Sequence, residues 1–281
     1  MKISGCTIVR NGIRLQYPIV ESICSILPIC DEFIVNVGDS DDGTLALIQS
    51  IGSPKLKIIE TVWDFTNKEK VLSQQTNVAI GHCTGDWIFY LQTDEVVHES
   101  DLLKIKRCME DNLRNCAVDA LRFRWFHFFG SHFRYRIDRG WYQKQDRIIR
   151  NDGGIESYDD AFSFRRKNGQ SLRIKSTGCF IYHYGWVFTP EEMAKRRINS
   201  GKIWGDDRSR EEKTGRYEFG NLKRFPIYFG THPSVMRDLI AKHEVSRKDW
   251  SQIRSWYFWN PILWMRLRYK TGYRVKHRIE D

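Results

Sequence analysis

Apolar and polar residues alternate in blocks through the first third of the chain. Four short runs of β-branched or aromatic residues predict strands, at 5–9, 32–37, 55–62 and 87–91. Between these runs, apolar residues spaced three and four apart predict helices, at 17–27, 44–51 and 68–80. Strands that alternate with helices in this way are typical of parallel β-α-β units. The pattern therefore predicts an α/β fold with a mostly parallel, Rossmann-like twisted sheet flanked by helices.

The fourth run ends on two adjacent carboxylates, Asp94 and Glu95. Open α/β sheets bind their ligands at the carboxyl ends of the strands. Two acids side by side repel each other unless a cation or a proton offsets their charge. A divalent metal ion that holds a diphosphate is one such cation. The alternative is an exposed corner of the sheet with solvated acids, and the pattern alone leaves both interpretations open.

Three segments of this region resemble family 2 glycosyltransferases with the GT-A fold. They read CTIVRN at 6–11, DEFIVNVGDSDDGT at 31–44 and GDWIFYLQTDE at 85–95. The second segment is similar to the family's nucleotide loop, D-G-S-x-D-G-T, and the third to the stretch around its metal-binding D-x-D. The resemblance implies transfer of a sugar from a nucleotide-diphosphate donor to a hydroxyl acceptor. It also implies inversion at the anomeric carbon and a divalent metal, Mn²⁺ or Mg²⁺, as cofactor.

The metal ligands that the resemblance implies depart from the family's pattern at one position. Gln92 stands where the family usually has the first acid of D-x-D, which leaves Asp94 and Glu95 as acidic ligands. A late histidine completes the metal site or touches the diphosphate in several enzymes with this fold. His183, in the cluster IYHYGW at 181–186, is the candidate for that role here. The alternative is a buried histidine whose ring is hydrogen-bonded in the core.

The nucleotide site departs from the pattern at Gly38, where a carboxylate often meets the nucleobase. Asp39 or Asp41 takes that role in this chain, or the base selectivity differs. Basic residues near strand ends and helix starts are candidate phosphate ligands, although each is more often a solvated surface charge. The predicted nucleotide-binding residues are Val9, Arg10, Asn11, Asp39, Asp41, Lys70, Gln92, Thr93 and Arg147.

An acceptor hydroxyl must lose a proton to a base when it attacks the sugar. In the family, an acidic pair beyond the D-x-D region lies at a helix start near the acceptor. The segment IESYDDAF at 155–162 supplies such a pair, with Asp160 as the first candidate and Asp159 as the second. Asp146, in KQDRIIR at 144–150, is the third candidate. For Asp159 the alternative is a turn or helix-cap residue, a common position for aspartate.

The length of 281 residues suits one large domain with an appendage. We expect a GT-A catalytic domain over 1–189 and a helical, basic, aromatic-rich region over 190–281. Seven cysteines without a C-x-x-C motif or a pairing rhythm favour reduced thiols and a cytoplasmic location. The sequence shows no signal peptide and no apolar run long enough for a membrane span.

The positive charge is concentrated in the second region. From Glu191 onward, 21 Lys and Arg stand against 12 Asp and Glu, so this region carries nearly all of the net charge of +10. Its far end also holds four tryptophans, Trp250, Trp256, Trp259 and Trp264. Basic residues mixed with aromatics suit an anionic membrane surface, and a lipid-linked saccharide or surface glycan would be the acceptor there. The alternative is that these aromatics pack on the catalytic domain.

Two other classes of function remain open. Basic charge with interleaved aromatics also occurs in nucleic-acid-binding or nucleotidyl-transferring enzymes. The sequence has no Walker A loop, no Cys/His zinc spacing and no RNA-binding signature of the RNP type, which makes nucleic acid a poor candidate partner. Gln92 also leaves open a sugar-nucleotide binder without catalytic activity.

Overall fold

The computed structural model describes residues 1–138 and 140–242. Within these residues the strands are β1 (Ile3–Val9), β2 (Glu32–Gly38), β3 (Leu56–Thr61), β4 (Trp87–Tyr90), β5 (Glu95–Val97), β6 (Ala120–Phe129), β7 (Tyr135–Arg136), β8 (Lys144–Arg150), β9 (Ile155–Tyr158), β10 (Ser163–Arg166) and β11 (Ile174–Trp186). The α-helices are α1 (Ile19–Ile26), α2 (Thr44–Gln49), α3 (Val71–Gly81), α4 (Leu102–Asn112), α5 (Pro190–Trp204), α6 (Ser209–Thr214) and α7 (Arg237–Lys242). Short 3-10 helices lie at Leu27–Ile29, Phe65–Asn67, Glu99–Asp101, Leu222–Arg224 and Ser234–Met236.

The four strands and three helices predicted in the first third of the chain are confirmed as β1 to β4 and α1 to α3. The largest difference is the start of α3, which begins at Val71 rather than at residue 68. A 3-10 turn at Phe65–Asn67, capped by the Asp64 side chain, occupies the chain just before it. The periodicity of apolar residues therefore located each element, while the cap and the turn decided where one of them begins.

Nine of the strands in the described residues form one sheet, in the order β3-β2-β1-β4-β8-β6-β11-β5, with β7 added beside β6. The pairs β3–β2, β2–β1 and β1–β4 are parallel, as predicted. In the second half only β6–β11 is parallel, whereas β8 and β5 run antiparallel to their neighbours. The α/β fold is thus confirmed, but the sheet is mixed beyond β4.

The antiparallel insertion of β8 follows from the connection that precedes it. The chain runs from β6 to β8 through the short strand β7, without a helix between them. Parallel neighbours need a long crossover, whereas antiparallel neighbours can be joined by a simple return of the chain. Strand β8 therefore lies antiparallel between β4 and β6, and it brings residues of the second half directly beside the first.

The central strands β1, β2 and β4 are buried along their whole length. Helices cover both faces of the sheet there, which is why these strands are nearly continuous apolar runs. On one face Ile23 of α1 and Ile105 of α4 belong to a large apolar cluster. On the other face Val71 and Ala79 of α3 pack against the sheet. This two-sided packing fixes the strand ends at which the site is built.

Helix α5 follows the last strand directly and packs back toward the carboxyl ends of β1 and β4. Its start is a capping box, in which Thr189 and Glu192 each bond the backbone of the other. Its last residue, Trp204, reaches the cavity described below, and Gly205 ends the helix in the left-handed conformation. Residues 190–242 contain the helices α5, α6 and α7. The division at residue 189 stays a prediction.

The predicted aromatic and basic segment at the far end of the chain, including Trp250 to Trp264, lies outside the described residues. Among residues 1–138 and 140–242, no helix combines the length and the apolar character that a membrane crossing requires.

Candidate active site

A cavity of about 200 Å³ lies at the carboxyl ends of β1 and β4. Most of the residues that line it are apolar, and five of them are aromatic: Tyr17 before α1, Trp63 and Phe65 after β3, Tyr90 of β4 and Trp204 at the end of α5. Five residues predicted to bind the nucleotide or the metal line it: Val9, Arg10, Gln92, Thr93 and Asp94. The structure thus brings the ends of two of the predicted strands together around one concave space, as expected for an open α/β sheet.

Asp94 is the charged centre of this space. One of its carboxylate oxygens, Oδ2, lies 3.4 Å from Nε2 of His183 and 3.7 Å from Nη2 of Arg196. Burial raises the pKa of Asp94, but the neighbouring His183 and Arg196 outweigh it and lower this pKa to about 2. The carboxylate is therefore ionised at any physiological pH. Its position is fixed by the backbone, because the carbonyl of Asp94 accepts a hydrogen bond from the backbone N–H of Tyr184.

Gly185 leaves the space beside this carboxylate open. A Cβ at residue 185 would lie 2.4 Å from Oδ2 of Asp94 and 2.9 Å from Nε2 of His183. Atoms do not approach that closely, so any larger residue would displace one of the two side chains. The carbonyl of Gly185 also accepts a hydrogen bond from Arg196, which holds that guanidinium at the edge of the site.

Asp94 and His183 fit a divalent metal ion as two of its ligands. The Asp94 carboxylate and the His183 ring would hold such an ion, because both are common metal ligands and their facing atoms lie 3.4 Å apart. Within the part of the chain that the structure describes, no third His, Cys, Asp or Glu joins them to form a closed metal site. The remaining ligands would come from water or from a diphosphate, which is how Mg²⁺ is commonly held in phosphate-transfer sites.

His183 is itself held by a second histidine. On the sheet, His183 of β11 lies in register with His127 of β6. The Nδ1 atoms of the two rings are 3.2 Å apart, and Nε2 of His127 lies 2.6 Å from the carbonyl oxygen of Tyr142. Burial, followed by the neighbouring His183, lowers the pKa of His127 to about 3. His127 is therefore neutral in the folded protein.

Glu95, a predicted metal ligand, is instead paired with Arg147, a predicted phosphate ligand. Both side chains are fully buried, and two hydrogen bonds of 2.7 Å join Nε and Nη2 of Arg147 to the carboxylate. The backbone N–H of Gln92 also donates to Glu95. Burial opposes the charge on Arg147, but Glu95 outweighs it and raises the pKa of Arg147. This pairing argues against both predicted roles, because each charge is already neutralised inside the protein.

Arg147 connects the loop that carries Asp94 to the turn that carries the predicted base. Its Nη1 donates to the carbonyl of Phe162, at 2.8 Å, and Gln92 approaches the neighbouring carbonyl of Ala161, at 3.4 Å. Since Glu95 holds the loop from the other side of the guanidinium, one buried ion pair fixes the relative positions of both segments. Local distortion accompanies this arrangement, because Ala161 adopts a positive φ of 61°.

Asp159 and Asp160 lie exposed in the turn between β9 and β10. The structure does not place them at the helix start that the family resemblance implied, since the chain continues from the turn into a strand. The Asp160 carboxylate accepts a hydrogen bond from the backbone N–H of Phe162.

Asp146, the third candidate base, is buried within the sheet. Its two carboxylate oxygens accept hydrogen bonds of 2.8 and 3.1 Å from Arg122 on the neighbouring strand. Only 2% of its side chain is exposed. A carboxylate that is neutralised in this way and shielded from an acceptor cannot readily take its proton, so the structure argues against this candidate.

The predicted nucleotide loop after β2 is organised by its own ion pairs. Arg10, which lines the cavity, forms two hydrogen bonds of 2.9 and 3.0 Å with Asp39, and its guanidinium also lies over the ring of Phe65. Hydrogen bonding to Arg10 is the main cause that lowers the pKa of Asp39. Asp41 is paired with Arg14 and is largely exposed.

Five of the predicted nucleotide-binding residues do not line the cavity: Asn11, Asp39, Asp41, Lys70 and Arg147. Asn11 is buried with a positive φ of 50°, and its side chain accepts a hydrogen bond from the backbone N–H of Asp41. It shapes the loop rather than the cavity wall. Lys70 is exposed just before α3, and its contact with a phosphate stays a prediction.

Sequence reasoning missed Arg196, Trp204 and His127. The signal for the first two was the capping box that begins at Thr189, since it predicts a helix through both residues. That signal does not say which strand ends the helix will approach. His127 lies in the aromatic run WFHFF, which reads as core, and only the register of β6 against β11 places it behind His183.

Comparisons with known proteins identify the family. The profile described as "Glycosyl transferase family 2" matches residues 17–187, well over half of the chain. A comparison with proteins of curated function finds no match. Among solved structures, S. aureus TarS 1–349 in complex with UDP-GlcNAc is 15% identical, with a TM-score of 0.45 over 72% of this chain and 66% of that one.

A second solved structure is glucosyl-3-phosphoglycerate synthase from Mycobacterium tuberculosis in complex with Mn²⁺, UDP and phosphoglyceric acid. It is 15% identical, with a TM-score of 0.33 over 44% of this chain and 43% of that one. The chain thus spans less than two thirds of the length of each of these two structures. On the match to the family profile, the chain belongs to glycosyl transferase family 2, which confirms the predicted resemblance, the α/β GT-A fold and the class of enzyme at the level of the family.

Proposed function

We propose that this protein transfers a glycosyl unit from a nucleoside-diphosphate sugar to a hydroxyl group of an acceptor. The observation that carries the proposal is the ionised carboxylate of Asp94 at the edge of the cavity, beside His183 and Arg196. In a member of this family, such a grouping suits the diphosphate of the donor. The aromatic walls of the cavity suit its nucleoside.

The donor's leaving group gains negative charge as the bond to the sugar breaks. Arg196 stands where its guanidinium can offset that charge, and the ring of His183 can hold a proton or a cation there. A divalent ion bound by Asp94 and His183 would supply further positive charge to the diphosphate. Arg10, which lines the cavity, and its partner Asp39 are the residues we assign to the nucleoside side.

Asp160 is the base that we assign to the acceptor. Its carboxylate would take the proton of the acceptor hydroxyl, while that oxygen forms a bond to the anomeric carbon. The bond from this carbon to the diphosphate oxygen breaks, and its electron pair leaves with the diphosphate. A single displacement of this kind inverts the anomeric centre and needs no covalent intermediate. Asp160 is exposed, as a group that must reach an incoming acceptor has to be.

The first experiment measures nucleotide binding by calorimetry. UDP, GDP, CDP and dTDP are titrated into the full chain with and without Mn²⁺. We expect one diphosphate to bind, and Mn²⁺ to strengthen its binding. Asp94→Ala should abolish the Mn²⁺ effect, whereas Glu110→Ala, which removes an exposed acid on α4, should not. If the wild type binds no nucleoside diphosphate under any of these conditions, the proposed function is wrong.

The second experiment separates binding from chemistry. Asp160→Asn should bind the same diphosphate with unchanged affinity. Its rate of sugar transfer, followed by the nucleoside diphosphate formed, should be at least 100-fold lower, since a general base typically contributes a factor of that size or more. Asp159→Asn, one residue away in the same turn, is the matched control and should keep most of the activity. Full activity of the Asp160 variant would remove it from the mechanism.

On the acceptor side, we propose a saccharide that packs on two half-buried tryptophans. The ring of Trp141 lies 5.5 Å from that of Trp186 and 6.2 Å from that of His183, measured between ring centroids. The two rings meet edge to face and Arg136 lies over the Trp141 ring, and the ring surface that stays accessible suits the apolar face of a sugar. With a pyranoside that the enzyme accepts, Trp141→Ala should raise the KM for the acceptor and leave the Kd of the nucleoside diphosphate, measured without Mn²⁺, unchanged. An unchanged KM would contradict the assignment.

We further propose that this acceptor is a lipid-linked saccharide or surface glycan, reached at the cytoplasmic side of a membrane. The support is the basic, tryptophan-rich composition of the far end of the chain. The full chain should co-sediment with vesicles that contain anionic phospholipid at low salt and should be released at high salt. Equal binding to purely zwitterionic vesicles, or no binding to either, would contradict this part of the proposal.

A further inference from the structure

Three groups form a continuous chain of contacts behind Asp94. Nε2 of His183 faces the Asp94 carboxylate, at 3.4 Å. The other ring nitrogen of His183, Nδ1, lies 3.2 Å from Nδ1 of His127. Nε2 of His127 then lies 2.6 Å from the carbonyl oxygen of Tyr142. The proposed mechanism uses only the first of these contacts.

The positions of the protons follow from the last of these contacts, between His127 and the Tyr142 carbonyl. A carbonyl oxygen can only accept, so His127 must carry a proton on Nε2 to bond the Tyr142 carbonyl. A neutral imidazole carries a single ring proton, which makes Nδ1 of His127 an acceptor. The contact between the two rings therefore requires a proton on Nδ1 of His183. When the His183 ring is neutral, its Nε2 holds a lone pair that points toward Asp94.

His127 is well placed to remain in this state. It is fully buried, and among the described residues no carboxylate bonds to it, so a charge on its ring would be uncompensated. Aromatic rings also confine it: Trp141 and Tyr142 meet it edge-on, with centroids at 5.0 and 4.9 Å. A rotation of the ring that exchanged its two nitrogens would have to displace these neighbours.

We propose that His127 is a positioning residue that fixes the tautomer of His183, so that Nε2 of His183 presents a lone pair to a divalent cation beside Asp94. The inference rests on the metal site of the proposed function and extends it to a residue that contacts neither nucleotide nor metal. Nε2 of His183 and the Asp94 carboxylate oxygen lie 3.4 Å apart, where either a proton or a cation can stand between them, and a divalent cation needs the lone pair of Nε2 in order to bind there. Partners of this kind fix the orientation of metal-binding histidines, and their loss typically weakens metal binding 10- to 100-fold.

Two variants of His127 separate its hydrogen bond from its volume. His127→Phe keeps a ring but removes the acceptor at Nδ1. His127→Asn keeps an acceptor, because its side-chain oxygen can occupy the place of Nδ1. Mn²⁺ binding is measured for the full chain, by the electron paramagnetic resonance signal of the unbound ion, in the presence of the nucleoside diphosphate that binds. We expect the Phe variant to raise the Kd for Mn²⁺ about 10- to 100-fold, and the Asn variant to stay much closer to the wild type.

A direct readout of the tautomer needs neither metal nor activity. ¹⁵N spectra of the metal-free protein with labelled histidine, assigned through a His183→Gln variant, should show His183 protonated on Nδ1. This pattern should be lost in His127→Phe and kept in His127→Asn, while the signals of the histidines other than His127 and His183 stay in place. A merely structural role for His127 would not produce that difference.

Two results would overturn the inference. One is a wild-type spectrum in which neutral His183 carries its proton on Nε2, and the other is equal Mn²⁺ affinity of the Phe and Asn variants. If the wild type binds a nucleoside diphosphate but no Mn²⁺, the metal site and this inference both fail while the proposed donor stands. If it binds neither, the proposed function fails as a whole.

Discussion

Arg147→Met should destabilise the protein far more than the loss of a typical arginine. The guanidinium and its partner Glu95 are both fully buried, and two hydrogen bonds of 2.7 Å join them. Methionine would fill most of the volume of the arginine stem but leave the Glu95 carboxylate buried without a countercharge. The carbonyl of Phe162 would lose its donor in the same step.

The expected size follows from this burial. Breaking a buried ion pair by removing one partner costs about 3–5 kcal/mol. For a domain of this size, each kcal/mol lowers the melting temperature by roughly 2–4 °C, so we expect a decrease of about 6–20 °C. Arg165→Met is the matched control, because Arg165 pairs with Glu156 on the hairpin with 58% of its side chain exposed. Such a surface pair contributes about 0–1 kcal/mol, which corresponds to a decrease of at most about 4 °C.

The assay is thermal unfolding, followed by circular dichroism, of the wild type, both single variants and the double variant Arg147→Met/Glu95→Leu. The double variant should recover much of the stability lost by Arg147→Met, because it leaves no unpaired charge in the core. The double variant should nevertheless bind the nucleoside diphosphate more weakly than the wild type, because the loop before Asp94 loses the hydrogen bond from Gln92 to Glu95. A melting temperature for Arg147→Met that equals that of Arg165→Met would refute the reasoning.

Three further predictions test other parts of the structure. Gly185→Ala would place a Cβ 2.4 Å from the Asp94 carboxylate and so displace that side chain. Turnover should fall roughly 100-fold with little change in melting temperature, and unchanged kinetics would contradict the geometry of the site. Trp204→Ala removes an aromatic side chain that lines the cavity, which would cost about 0.5–1.5 kcal/mol of contact with the base. Calorimetry should therefore show a roughly two- to tenfold higher Kd for the nucleoside diphosphate, and equal affinity would place the nucleoside elsewhere. Hydrogen bonding to Arg173, together with a second arginine, holds the pKa of Asp119 well below its usual range, so its contribution to stability is complete above about pH 4 and is lost as the pH falls below that value. Denaturant titrations of Asp119→Asn should therefore show a loss of stability at pH 7 that shrinks in acid, and a constant difference across this range would be inconsistent with the ion pair.

The first third of the chain could be predicted from its sequence because each of its elements depends on nearby residues. A strand buried on both faces is a run of apolar residues, and a helix that covers it shows apolar residues three and four apart. Asp94 could be located for the same reason, since it directly follows such a strand. Local patterns thus located the elements, the strand ends and the central carboxylate of the site.

The charged residues of the second half could not be assigned in this way. Glu95, Arg147 and Asp146 look like ligands in a sequence, because nothing local shows what a charged side chain will meet. The antiparallel insertion of β8 between β4 and β6 brings Arg147 to Glu95 and Asp146 to Arg122. Strand order is a long-range property, and it determined which charges became internal ion pairs.

The sequence by itself therefore determined the family, the α/β elements and the position of Asp94, because these depend on motifs and periodicities within short segments. Only the tertiary structure decided which residues stand around that carboxylate. Arg196 arrives on a helix from beyond residue 189, and His127 meets His183 through the register of two strands more than 40 residues apart. The physical reason is that the partner of a buried charge or ring is chosen by packing, which joins segments that the linear order keeps separate.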